Sequence, residues 1–193
     1  MKRREAISIG GSVIVGSILF SIWESCKIQP GTNWNPVFFD AKQAALTSAL
    51  VDALLPKTSK PGGLDVNADV FIDRVINETY SDADKKSLMD EINEFDQKCK
   101  EKFGSYFASL SNEQKRKCLV EMESTSPKFN GKVWGTGVGE QKPVGFYRKF
   151  KSMAVWAYCT SEAIGKNELK YDPLPGGYHG CVPMSEIGKV WSL

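Results

Sequence analysis

The sequence predicts an all-α protein, a small bundle of about five helices that ends in an irregular, Pro/Gly-rich C-terminal arm. Three observations carry this. Between Phe39 and Tyr158 apolar side chains return every three or four positions, the spacing that gathers them on one face of a helix. No alternating apolar and polar run exceeds a few residues, so strands lack their pattern. From Tyr171 to Pro183, three prolines and Gly176, Gly177 and Gly180 interrupt any regular element.

The chain begins with a segment that belongs to sorting rather than to the fold. Met1-Lys-Arg-Arg-Glu5 is a short basic start, and Ala6 to Trp23 carries no charge. A basic start before an apolar run is an export signal. Paired Arg3 and Arg4 before a weakly hydrophobic, Gly/Ser-rich core favour the twin-arginine route, which moves folded proteins, over an ordinary secretory signal. Three outcomes stay open beyond it. Cys26, behind the small Ser25, can be lipidated as in bacterial lipoproteins, although Trp23 and Glu24 match that pattern poorly. The run approaches the roughly 18 residues of a membrane anchor, or it is simply cleaved. Each outcome places the remainder outside a bacterial cytoplasm, in the periplasm, and the first two associate it with the membrane through its N-terminus.

Setting aside residues 1–25 of 193 leaves 168, residues 26–193, enough for one domain with a real core. The whole chain carries a net charge of +2, and residues 1–25 hold three basic against two acidic side chains, so the remainder carries +1. Such a balance excludes a nucleic-acid binder, which shows a clustered basic excess.

The helices follow in order. Asp40 is placed to cap a first helix with Phe39, Leu46, Leu50, Ala53 and Leu54 on one face, and Pro56 stops it. Residues 57–63 form a loop, and Asn67 starts a second helix with Phe71, Ile72, Val75 and Ile76. Asp82 opens a long third helix with Leu88, Ile92, Phe95, Cys99 and Phe103 at steps of three and four. Ser111-Asn-Glu-Gln114 is a capping box before a fourth helix with Cys118, Leu119 and Met122 inward. A Gly/Lys-rich connection runs from Thr125 to Pro143. A fifth helix, from about Val144 to Ser161, presents Phe146, Phe150, Met153, Ala154, Ala157 and Tyr158.

Catalytic chemistry finds little support in these residues. His179 is the only histidine, and between prolines and glycines it suits a surface or packing role. No Cys-x-x-Cys pair or second histidine exists to complete a metal site with His179 and Cys181. Gly135-Thr-Gly-Val-Gly139 superficially resembles a phosphate-binding loop, but the Lys-Pro that follows spoils a helix start, so it reads as linker. The carboxylates lie on helix faces beside lysines, where solvation explains them. No catalytic, cofactor-binding or metal-binding set is therefore expected in this chain. The arm is different. Its aromatic and apolar residues have little use in solvent, so it reads as an interface, with Tyr171, Pro173, Pro175, Gly176, Tyr178, Gly180 and Cys181 as contact residues.

If Cys26 is acylated, Cys99, Cys118, Cys159 and Cys181 remain, an even number in an oxidising compartment, and three pairings are open. Cys99 and Cys118 sit on apolar helix faces, where a buried free thiol is the ordinary state. Cys181, in the arm, is the best placed for a covalent link, to Cys159 or to another chain.

The chain resembles the gluconate 2-dehydrogenase subunit 3 family, the small subunits of exported flavin-dependent sugar and polyol dehydrogenases. The resemblance rests on Met1-Lys-Arg-Arg-Glu-Ala with Ser25-Cys26, on Leu54-Leu-Pro-Lys-Thr58, Pro61-Gly, Asp65 and Phe71-Ile-Asp73, and on a C-terminal signature. That signature is Phe146-Tyr, Thr160-Ser-Glu162, Leu169, Tyr171, Pro173, Pro175-Gly, Tyr178, Gly180-Cys181 and Pro183. Gly165 departs from it, standing one residue later than the Ser-Glu-x-Gly form, which bears on where the fifth helix ends. The resemblance implies a large catalytic partner of the glucose-methanol-choline type, which holds FAD and passes electrons to a cytochrome or another acceptor. This chain would supply the export signal and stabilise that partner, whose substrate would be an aldonate, aldose, polyol or glycoside. Two other readings compete: a free-standing envelope lipoprotein with a binding or scaffolding role, and an enzyme centred on His179 and Cys181.

Overall fold

The computed structural model describes residues 34–129, 132–133, 136–137, 140, 144–172, 176–177 and 180–192. Arg3, Arg4, Cys26, Pro173, Pro175, Tyr178 and His179 lie outside the described residues. Helix α1 spans Ala41–Leu54, and its start is a full capping box. The Asp40 carboxylate accepts from the Gln43 amide at 2.8 Å, and the Gln43 side chain accepts from the Asp40 amide at 3.0 Å. Ala44, Leu46, Leu50 and Val51 of α1 are buried. The helices α2 (Ala68–Thr79), α4 (Asn112–Thr125) and α5 (Phe146–Thr160) pack around it, together with a 3₁₀ turn at Phe107–Ser109.

Asn67 precedes α2 as expected, for a different reason. Its side chain makes no capping bond; it occupies the left-handed region at φ 54°, which asparagine tolerates better than most residues. Helix α3, Asp82–Phe103, is capped by Ser81, whose hydroxyl accepts from the Asp84 amide at 3.2 Å. Its inward row of Leu88, Ile92, Phe95 and Cys99 is buried, while Phe103 is half-buried. Ser111 and Gln114 close the capping box of α4.

Thr136 and Gly137, within the Gly135–Gly139 stretch, pair as a two-residue strand β2 with Lys132–Val133, β1, in antiparallel register. The described residues of that segment pair as strands rather than opening a helix. The fifth helix is shorter than the pattern suggested. α5 ends at Thr160, Ser161 is extended at ψ 144°, and a separate α6 begins at Glu162 and runs to Asn167. A last turn, α7, spans Met184–Ile187. Among the described residues these make seven helices, none long and apolar enough to cross a membrane.

The core is aromatic at its centre. Phe95 lies 5.4 Å from Phe107 and 5.5 Å from Phe146, ring centre to ring centre, and Phe146 lies 5.6 Å from Phe150. These tilted contacts tie α3, the 3₁₀ turn and α5 together.

Three aspartates correct the expectation that carboxylates here are solvated. Asp69, Asp73 and Asp96 are buried, and each closes the end of a segment. Asp73 accepts from the amides of Val37, Phe38 and Phe39 at 2.7, 3.1 and 2.9 Å, fixing the stretch that leads into α1. Asp69 accepts from Trp34 Nε1 at 2.9 Å and from Ser48 Oγ at 2.6 Å. Asp96 accepts from the Phe107 amide at 2.9 Å and pairs with Lys42 at 3.1 Å. Buried charge persists where it is fully hydrogen-bonded.

Glu123 braces α4 against α5. It accepts from Lys151 at 2.7 Å and from the Tyr147 hydroxyl at 2.8 Å, and it also pairs with Arg148. Lys151 first, then Tyr147 and Arg148, hold its carboxyl down to about 2 from an ordinary 4.5. The lowered value fixes the sign of the pH effect. Above about pH 4.5 the brace contributes fully, and it is lost as pH falls from there towards 2. Glu123→Gln is therefore expected to melt below wild type at pH 7, with the gap closing to nothing near pH 2. A gap constant across that range would remove the brace from the account.

Candidate partner interface

Two stretches of sequence that lie far apart in the chain meet at one end of the bundle. The loop after α1 turns sharply at Pro61-Gly62-Gly63 because backbone and side chains crowd it there. A Cβ on Gly62 would stand 2.7 Å from the Lys57 amide nitrogen, and one on Gly63 would stand 2.6 Å from Val51 Cγ1. Asp65 locks the turn, accepting from the Gly62 amide at 2.8 Å and from Lys57 at 2.9 Å. Lys57, and then the Gly62 amide, keep its carboxyl below the usual range. From α5 the Tyr158 hydroxyl donates to the Pro61 carbonyl at 2.8 Å, and Lys60 pairs with Glu168 at 2.6 Å. The loop is thus fastened to the segment that leads into the arm. A groove of about 570 Å³ runs between them, lined by Asp65, Asn67, Ser161, Glu162 and Lys166.

Beyond α6 the chain leaves and returns. The Lys170 amide donates to the Val190 carbonyl, and the Ser192 amide donates to the Lys170 carbonyl, each at 2.8 Å. Ser192 lies over the buried Gly165, where a Cβ would stand 3.1 Å from Ser192 Oγ. A side chain at Gly165 would need the Ser192 hydroxyl to give way. Lys170 Nζ stands 4.5 Å from the Trp191 ring centre. The closed arm frames a concavity of about 1020 Å³, lined in part by Asp172, Gly176, Cys181, Val182 and Ile187.

The arm keeps its apolar side chains in solvent. Tyr171 is 48% exposed, Met184 75%, Val190 74% and Trp191 47%, with Val182 also exposed. Gly176, Gly180 and Cys181 are exposed too. Nearby in sequence to the loop contact, Val155 and Trp156 of α5 are exposed, Trp156 edge-on to Phe71 with ring centres 5.0 Å apart. Exposed apolar residues of this size are candidates for a surface that a protein, a membrane or a ligand covers. Of the expected interface residues, Tyr171, Gly176, Gly180 and Cys181 lie on this surface, while Pro173, Pro175 and Tyr178 are outside the described residues. Cys159 is half-buried and Cys181 exposed, both as free thiols.

A family model described as gluconate 2-dehydrogenase subunit 3 matches residues 41–176, from the first residue of α1 to the middle of the arm. The chain belongs to the gluconate 2-dehydrogenase subunit 3 family. The match takes in the Pro61-Gly62 loop, Asp65, Asp73, Tyr158 and the whole bundle, and it stops before Gly180, Cys181 and the returning strand. The family is an accessory subunit of a dehydrogenase complex. No curated protein and no solved structure matches the chain.

The geometry also shows what sequence reasoning missed. Val190 and Trp191, beyond the arm that the sequence marks out, are exposed as well. The apolar density of the last dozen residues was the available signal. Among the described residues, no group of three or more His, Cys, Asp or Glu side chains is placed to hold a metal ion.

Proposed function

We propose that this chain is the non-catalytic small subunit of a periplasmic, membrane-associated sugar, polyol or glycoside dehydrogenase. The large partner is a flavoprotein of the glucose-methanol-choline type that carries FAD and delivers electrons to a cytochrome. The observation that carries the reading is the exposed apolar arm on a member of an accessory-subunit family. A chain that keeps Tyr171, Val182, Met184, Val190 and Trp191 at its surface has a partner to cover them.

Export follows from the other end of the chain. Arg3 and Arg4 ahead of a weakly apolar core suit a route that moves folded proteins, so a partner already folded around its flavin crosses with this subunit. Membrane association comes through the N-terminal segment, either by lipidation at Cys26 or as an uncleaved anchor. Replacing Arg3→Lys and Arg4→Lys together is expected to strand both this chain and the larger flavoprotein in the cytoplasm, as read by cell fractionation. Normal export of the double variant would sink the folded-carrier role.

A further inference from the structure

Helices α3 and α4 bring two thiols face to face. Cys99 Sγ and Cys118 Sγ stand 3.4 Å apart, both buried and both free. They share the wall of an apolar cavity of about 430 Å³ with Phe95, Phe103 and Met122, and Lys98 and Lys102 also line it. The separation exceeds a disulfide bond by only about 1.4 Å, a gap that side-chain rotation can close. Among the pairings of the four cysteines, this is the one the fold has already assembled. It lies in the bundle core and stands independently of the arm.

We propose that Cys99 and Cys118 are a disulfide-forming pair that clamps α3 to α4 when the protein meets an oxidant of the disulfide class, a protein or small-molecule disulfide. The two sulfurs share one hydrogen bond, in which either can be the donor. One of them, as the thiolate, opens the exchange. It displaces one thiol from the oxidant and forms a mixed disulfide. The other cysteine then loses its proton and attacks that sulfur, releasing the second thiol. Two protein thiols become one disulfide, and the two electrons leave with the oxidant, now a pair of thiols. The cavity beside the pair is the way in for the oxidant.

The test uses the full chain carrying Cys26→Ser, Cys159→Ser and Cys181→Ser, purified reduced and incubated with oxidised glutathione. Peptide mapping is expected to find residues 99 and 118 joined. The melting temperature should rise by roughly 6–12 °C, the effect of cross-linking a loop of this size in a domain of this length, and dithiothreitol should reverse it. Cys99→Ala and Cys118→Ala should each abolish both the link and the thermal response. The same reading after refolding in a glutathione buffer removes access of the oxidant as a variable. Two thiols still open to alkylation after both treatments would overturn the proposal. So would a glutathione adduct that stays on either cysteine, or a link that leaves the melting temperature unchanged.

Discussion

Asp73→Ala is expected to destabilise the protein by about 3–5 kcal/mol, the cost of leaving three backbone donors without their carboxylate. Asp73 is only 1% exposed and accepts three amides in a row, Val37, Phe38 and Phe39. In a domain of this length the loss corresponds to a fall in melting temperature of roughly 10 °C. Asp73→Asn should fall between the two. Its single oxygen can keep the two amides that Oδ1 now holds, while its NH2 faces the Val37 amide that Oδ2 accepts. Thermal or urea denaturation reads the effect. A fall below about 1 kcal/mol for Asp73→Ala would mean that the stretch before α1 is held by its phenylalanines alone.

The second large effect concerns assembly. Tyr171→Ala with Tyr178→Ala is expected to weaken capture of the large subunit by on the order of 10²–10³-fold, because aromatic anchors at interfaces are often worth about 2 kcal/mol or more each. The melting temperature and helical circular dichroism of the isolated subunit should stay as in wild type. Tyr171 supports that separation, being 48% exposed and outside the packed core. If the double variant unfolds, or holds its partner at full strength, the arm packs on its own chain and the interface lies on the helices.

The fold was legible wherever a pattern was local. The Asp40 and Ser111 capping boxes and the three-to-four spacing of Leu88, Ile92, Phe95 and Cys99 all name neighbours within a turn or two. What stayed hidden depends on partners far away in sequence. Asp73 reads as a surface acid on α2 until the chain before α1 folds onto it, 34 to 36 residues away. Cys99 and Cys118 read as two unrelated core positions until α3 and α4 pack side by side. Ser161 carries no strong breaker, so the split between α5 and α6 was not visible, although the displaced Gly165 lay close to it. That the chain after Tyr171 is irregular and rich in apolar residues was legible from composition, and Tyr171, Val182 and Met184 are exposed there. Its return to Lys170 was not legible, because a single bridge between Lys170 and Trp191 has no sequence pattern.

The central claim is that this chain works only as part of a larger flavin-dependent complex. Its most direct test is to tag the full chain, isolate it under mild conditions from the envelope of its own cell, and record its companions and its visible absorption. The account predicts a much larger chain in fixed ratio, with bound flavin colouring the complex yellow and dehydrogenase activity residing in that chain. A colourless protein recovered alone from the envelope would contradict it.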